Sequence, residues 1–360
     1  MDPDITTFVM LSVLKCNAFY RIPNINDDPE PMNLKTTGCL LWTMAMLYGC
    51  SPGRQNDTIE RNHPSPLKAS QINETQINED KDHSVRWFNA ENQGKINGVA
   101  LVIHGLNLQP DKMGPIISHL TASRIEVLNL SLRGHGENYA PGKDMDSSGA
   151  RLDTFKTVSY EQWTDEVYRA YRHARKRSDE RKAPLFLIGY SLGALLGGDL
   201  LATYPDVHFD RLVLFAPAFN CTICKGLKIL VPFPRLVIPS FSSKSYCANR
   251  GGTPMAAYIA LFDAIEHFKR NVSLKLNVPT IIFIDKRDEF VSYRRLKRMV
   301  ETNKLDRWKI HFLQKGKIGV QESLHHLIID ERSLGKEGWD EVRDKMNQHL
   351  FNIANFHSIH

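Results

Sequence analysis

Cysteine is scarce in this chain: six residues in 360, far too few for a small scaffold held by disulfides. Charge of one sign is also scarce. Forty-six Lys and Arg against 40 Asp and Glu leave a formal net charge of +6 without any long basic run, so nucleic-acid binding is not indicated. No internal repeat is visible. What is plentiful is apolar mass, 42% of the residues, enough to bury a sizeable core and to exclude disorder of the whole chain.

The first 50 residues do not read like the start of a folded domain. Residues 1–31 carry no clear helical or strand period and end on Asp27, Asp28, Glu30 and Pro31. Met32-Asn33-Leu34-Lys35 then leads into the apolar stretch Cys39 to Tyr48, closed by Gly49 and Cys50. A basic start, an apolar run of about ten residues and a small residue is secretory-signal architecture; a membrane span needs about 20. Leu47-Tyr48-Gly49-Cys50 resembles the bacterial lipobox, which implies a lipidated Cys50 as mature N-terminus and a start at Met32. Ser51 after the Cys is similar to the outer-membrane sorting type. The expectation is a leader over 1–49 with its signal in 32–49, and a protein of the bacterial cell envelope held by a lipid anchor. Without use of the signal the protein would be cytoplasmic. Residues 50–85, rich in Pro, Asn, Gln and Glu, read as the lipidated Cys and a flexible tether.

From about residue 86 strands and helices alternate. Val99 to Ile103, Ile125 to Leu130, Pro184 to Ile188, Arg211 to Ala216, Pro279 to Ile284 and Lys309 to Leu313 are short apolar runs, as strands buried on both faces require. Tyr160 to Arg177, Leu192 to Tyr204, Tyr293 to Thr302 and Gly338 to Phe351 repeat their apolar residues at helical spacing. This order predicts an α/β fold with a mostly parallel, doubly wound sheet and a site at the carboxyl ends of its strands. Residues 218–272 break the alternation and read as a small cap insertion. Its apolar stretch Leu227 to Val237, with Ile259, Leu261 and Phe262, has the composition of a wall for an acyl chain.

The chemistry falls at strand ends. Gly189-Tyr190-Ser191-Leu192-Gly193 follows one strand directly and opens a helix, the context in which G-x-S-x-G places a nucleophilic serine on a sharp turn. Here the chain resembles the α/β-hydrolase superfamily over residues 86–357, and most nearly its monoacylglycerol lipase and small carboxylesterase group. His104-Gly105-Leu106-Asn107, after an early strand, is similar to that group's HG-x-x motif. The resemblance implies that the N–H groups of Leu106 and Leu192 form an oxyanion hole and that His104 is structural. Leu132-Arg133-Gly134-His135-Gly136 is similar to the RGHG loop, with Ser131 in place of the usual Asp.

A serine hydroxyl needs a base and an orienting acid, which in this fold follow the nucleophile in the order acid, then His. Asp288 and Val291 fit the group's G-x-x-D-x-x-V pattern, with Asp285 at the Gly position, and Asp285 and Glu289 remain alternatives for the acid. Two adjacent histidines follow the last strand. Related carboxylesterases show S-x-H followed four residues later by Asp; Ser323, His325 and Asp330 are matched to this, which favours His325 as the base and leaves His326 second. The resulting expectation is a serine esterase or lipase that cleaves esters with an apolar acyl chain, of monoacylglycerol or lysophospholipid type. It would need no cofactor and no metal; His104, His135, Cys221 and Cys224 lack zinc-ligand spacing. An acyltransferase or peptidase on the same triad, and an inactive membrane-attached binding protein, are the alternatives. In an exported protein, Cys221 or Cys224 is expected to pair with Cys247.

Overall fold

The computed structural model describes residues 84–91, 94–142, 145–240, 244–315 and 320–351. The leader over 1–49, Cys50 and the tether as far as residue 83 lie outside them.

Six strands follow the apolar runs closely: β2 (Gly98–Ile103), β3 (Ile125–Leu130), β4 (Leu185–Tyr190), β5 (Arg211–Phe215), β8 (Thr280–Asp285) and β9 (Trp308–Leu313). They pair in parallel in the order β3-β2-β4-β5-β8-β9. β2, β3, β4 and β8 are buried along their whole length, which is why their sequences show no polar alternation. A seventh strand, β1 (Val85–Phe88), joins β3 antiparallel. The run over 309–313 is not buried on both faces, because β9 closes one edge of the sheet and leaves Lys309 and Phe312 exposed.

Alternate residues of β2 feed two different cores. Val99, Leu101 and Ile103 pack with α3 (Tyr160–Arg181), α4 (Leu192–Thr203) and α6 (Met255–Asn271). Ala100 and Val102 face the other way, onto α1 (Gly114–Ala122) and α9 (Lys336–Phe351). Helices on both faces make the sheet doubly wound. α3 starts at a capping box, with Ser159 and Gln162 bonding each other's backbone N–H, a device that contributes about 1 kcal/mol. α4 has no polar face, since every residue from Leu192 to Leu201 is buried; it is a core helix.

The interval 218–272 divides in two. Its first part holds the short helix α5 (Cys224–Leu227) and the paired strands β6 (Val237–Ile238) and β7 (Thr253–Pro254). Its second part is α6, whose Phe268 stacks on Phe219 with ring centroids 4.3 Å apart and belongs to the main core. α2 (Ser147–Phe155), α7 (Tyr293–Thr302) and α8 (Glu331–Leu334) complete the named helices.

Candidate active site

β4 ends at Tyr190, and α4 begins at Leu192, so a single residue makes the turn. Ser191 occupies it at φ +50° and ψ −109°, a conformation that L residues avoid. The neighbouring glycines are required by space. A Cβ at Gly189 would sit 2.5 Å from the Ala194 Cα, and one at Gly193 would sit 2.2 Å from the Ile103 carbonyl oxygen. The turn therefore packs against itself and against the end of β2.

The Ser191 Oγ lies 2.8 Å from the Nε2 of His326, and the Nδ1 of the same ring lies 2.8 Å from the Oδ2 of Asp288. Both His326 and the Asp288 carboxylate are buried. The other Asp288 oxygen accepts the N–H groups of Phe290 and Val291, which fixes the carboxylate on its turn. Phe290 meets the His326 ring edge-on at 5.1 Å, and the Tyr190 ring packs on it at 5.3 Å.

His325, the residue favoured from the sequence, is not the one on Ser191. Its Nδ1 meets Asp285 Oδ2 at 2.8 Å, so the two adjacent histidines have two different aspartates as partners. The error lies in the anchor chosen for the spacing. Asp330 falls four residues after His326, and it caps α8 by accepting the Ser333 N–H. Asp285 ends β8, and Glu289 grips backbone amides instead of a ring.

The loop 104–109 also borders Ser191. Leu106 lines the same cavity as Ser191, and Leu192 is the first residue of α4, whose N-terminal amides have no partner within the helix. A Cβ at Gly105 would meet the Tyr190 ring at 2.7 Å, so the loop can reach Ser191 only with glycine there. Asn107 adopts φ +51° and is tied by its side chain to Ser240 and to the backbone of Asn249. That role was not legible in advance, although an Asn in the left-handed region is itself a signal of such a turn.

His104 and His135 are wholly buried and act as scaffolding. The Nδ1–H of His104 donates to Gly105 O, and its Nε2 accepts the Leu132 N–H. His135 accepts the Asn107 N–H on Nε2 and directs Nδ1 at the Leu132 carbonyl. Burial pushes His104 down to about 4 and His135 well below its ordinary value, so both stay neutral acceptors. Glu166 of α3 organises the loop that lacks the usual Asp. It accepts the Arg133 N–H at 2.8 Å and the Asn138 amide at 2.9 Å, and Asn138 in turn donates to the Ser131 carbonyl.

The cavity over Ser191 measures about 100 Å³. Ile223, Tyr258, Leu261, Phe290 and Val291 give it apolar walls. Of the stretch read as an acyl wall, Leu261 lines this cavity, while Ile229, Val231 and Phe233 are exposed on the molecular surface. The disulfide joins Cys221 to Cys224, not either of them to Cys247. The short turn from Cys221 to Cys224, leading into α5, brings the two Cα atoms to 5.5 Å, a separation the bond requires, whereas Cys247 sits in a segment bridged to Leu108. Among the described residues no group of His, Cys, Asp and Glu is arranged to hold a metal ion.

This architecture is the α/β-hydrolase fold. Residues 94–251 match the model of the family described as serine aminopeptidase, S33. The solved structures it is similar to include a metagenome-derived lipolytic enzyme, at 16% identity over 74% of this chain and 96% of that one, TM-score 0.57. A monoglyceride lipase from Saccharomyces cerevisiae matches at 15% identity over 74% and 90% of the two chains, TM-score 0.58. A monoacylglycerol lipase from Paleococcus ferrophilus matches at 18% identity over 74% and 97%, TM-score 0.53. At these identities the likeness is one of fold. No curated protein matches the sequence.

Proposed function

We propose that the protein is a serine esterase that cleaves carboxylic esters with an apolar acyl chain, of monoacylglycerol or lysophospholipid type. The observation that carries this reading is the line Ser191 Oγ, His326, Asp288, with both contacts at 2.8 Å, opening into an apolar cavity. In it the Ser191 hydroxyl attacks the ester carbonyl carbon and gives its proton to His326 Nε2. Asp288 holds the Nδ1–H and stabilises the imidazolium. The N–H groups of Leu106 and Leu192 receive the oxyanion, each worth about 3 kcal/mol by analogy with other acyl-transfer sites. His326 then protonates the leaving alcohol, and water hydrolyses the acyl-enzyme by the reverse proton path.

The peptidase reading has support in the description of the matched family. An aminopeptidase must, however, hold a substrate ammonium group, and among the described residues no Asp or Glu lines the cavity. Neutral ester substrates fit that lining better. The exposed Ile229, Val231 and Phe233 in the interval 218–272 suit contact with lipid, in keeping with a lipid substrate. The sequence features around Cys50 support anchoring of the enzyme in a bacterial envelope by lipid chains.

Hydrolysis of p-nitrophenyl esters of increasing acyl length tests the reading. We expect activity with short and medium chains, loss of all but a few per cent in Ser191→Ala, and fluorophosphonate labelling confined to Ser191. Absence of hydrolysis in the wild type, or labelling of another serine, would refute it.

A further inference from the structure

The end of β8 and the turn after it present three carboxylates in five residues, and each meets the loop that carries the two histidines. Asp288 takes the ring of His326, and Asp285 takes the ring of His325. Glu289 takes neither ring. Its Oε1 accepts the His325 N–H at 3.0 Å, and its Oε2 accepts the His326 N–H at 3.1 Å. One carboxylate thus grips two consecutive backbone amides, one of them belonging to the residue whose ring lies on Ser191.

From the other side, the Lys315 ammonium donates to the carbonyl oxygens of Glu322 and Leu324. The segment between β9 and α8 has no helix or strand of its own among the described residues; the Gln321 and Leu327 N–H groups find backbone carbonyls, and side chains take up other backbone groups of the loop. An imidazole that relays a proton has to be held within about half an ångström of its working place.

We propose that Glu289 is a positioning residue for the reaction: its two-amide grip sets the His326 backbone, and through it the ring, between Ser191 and Asp288. The His325–Asp285 pair is the second latch of the same loop. Because Glu289 follows Asp288 directly, the acid and the clamp ride on one turn, and the ring and its backbone are placed by a single body. Glu289 itself is exposed, so water competes for it, and its removal weakens the placement without abolishing it.

This inference rests on the esterase reading, and the experiment separates the two. Glu289→Gln replaces one acceptor oxygen by an N–H₂ group that faces an amide donor. With a p-nitrophenyl ester that the wild type hydrolyses, we expect kcat to fall on the order of tenfold, KM to stay within about twofold, and the rate of fluorophosphonate labelling of Ser191 to fall in parallel. Glu289→Asp keeps the charge but ends one methylene short, and should lie between. If Glu289→Gln does not fold, Glu289→Asp carries the same readouts. An unchanged kcat and labelling rate in a folded variant overturns the clamp. So does a loss expressed only in KM. A wild type without esterase activity would sink the reading beneath it instead.

Discussion

Asn107 and Asn249 hold each other across 142 residues of chain: the Asn107 amide donates to the Asn249 carbonyl at 3.1 Å, and the Asn249 N–H donates back to Asn107 Oδ1 at 2.8 Å. The pair joins the loop beside Ser191 to the segment between β6 and β7. Asn107 directly follows Leu106, the proposed oxyanion donor.

Asn107→Ala should therefore damage activity and stability together. It strips a buried N–H of its partner, for about 1–3 kcal/mol, and puts Ala where φ is +51°. We expect a lower melting temperature and a several-fold drop in kcat. A variant that melts earlier with full kcat would show that the pair supports the fold but not the oxyanion loop.

The two histidines should separate cleanly. His326→Ala is expected to lower kcat on the order of 10³-fold or more, by analogy with other triads. His325→Ala loses the bond to Asp285 and should cost only a few-fold. Stopped assays on the two variants decide it, and the reverse ranking would return the assignment to His325.

The pH dependence of stability has a definite sign. Burial holds His104 and His349 at about 4, below the ordinary 6.5, and His135 well below it. The unfolded chain binds these protons first, so stability is full above about pH 6.5 and declines as pH falls toward 4. For His104 alone the decline amounts to about 3 kcal/mol at 1.36 kcal/mol per pH unit. Melting temperatures recorded from pH 7 to pH 4 should fall accordingly. His104→Asn, which removes that titration, should flatten part of the slope, and an unaltered slope would count against a neutral buried His104.

Location is tested at Cys50. With lipid chains on Cys50, the protein sediments with membranes; Cys50→Ser, expressed from Met32, should move it to the soluble fraction with specific activity intact. At about 0.8 kcal/mol per buried CH₂, stable anchoring takes two chains or more. A soluble wild type whose mass includes residues 1–49 would refute the anchor.

How far the sequence could be read depended on what each residue touches. The central strands were legible because burial on both faces makes them continuous apolar runs, and the Ser191 elbow because its glycines are spaced for a one-residue turn. β1 was not, since Val85-Arg86-Trp87-Phe88 mixes charge with apolar residues on an edge that leaves every position but Arg86 only partly buried. The register of the histidines depended on which of two adjacent rings met which of two aspartates, and both rings found one. Glu166 was missed because it supplies from a distant helix what the local motif lacks. The Cys221–Cys224 bond was missed because the long-range pairing favoured for an exported protein overlooked a short turn that already brings two sulfurs together.

By position in the chain, Tyr246 to Asn249 belong to the interval 218–272. By their bonds they belong to the frame. Tyr246 donates to Asp330 beside the histidine loop; its carbonyl takes the Gln109 N–H; Asn249 reaches both Asn107 and Gly134. A graft of a foreign cover onto this protein that removed those four residues would unseat both walls of the cleft at once. Workable cut points for such a chimera lie on either side of them, leaving the short stretch behind as the hinge-pin on which any replacement must be hung.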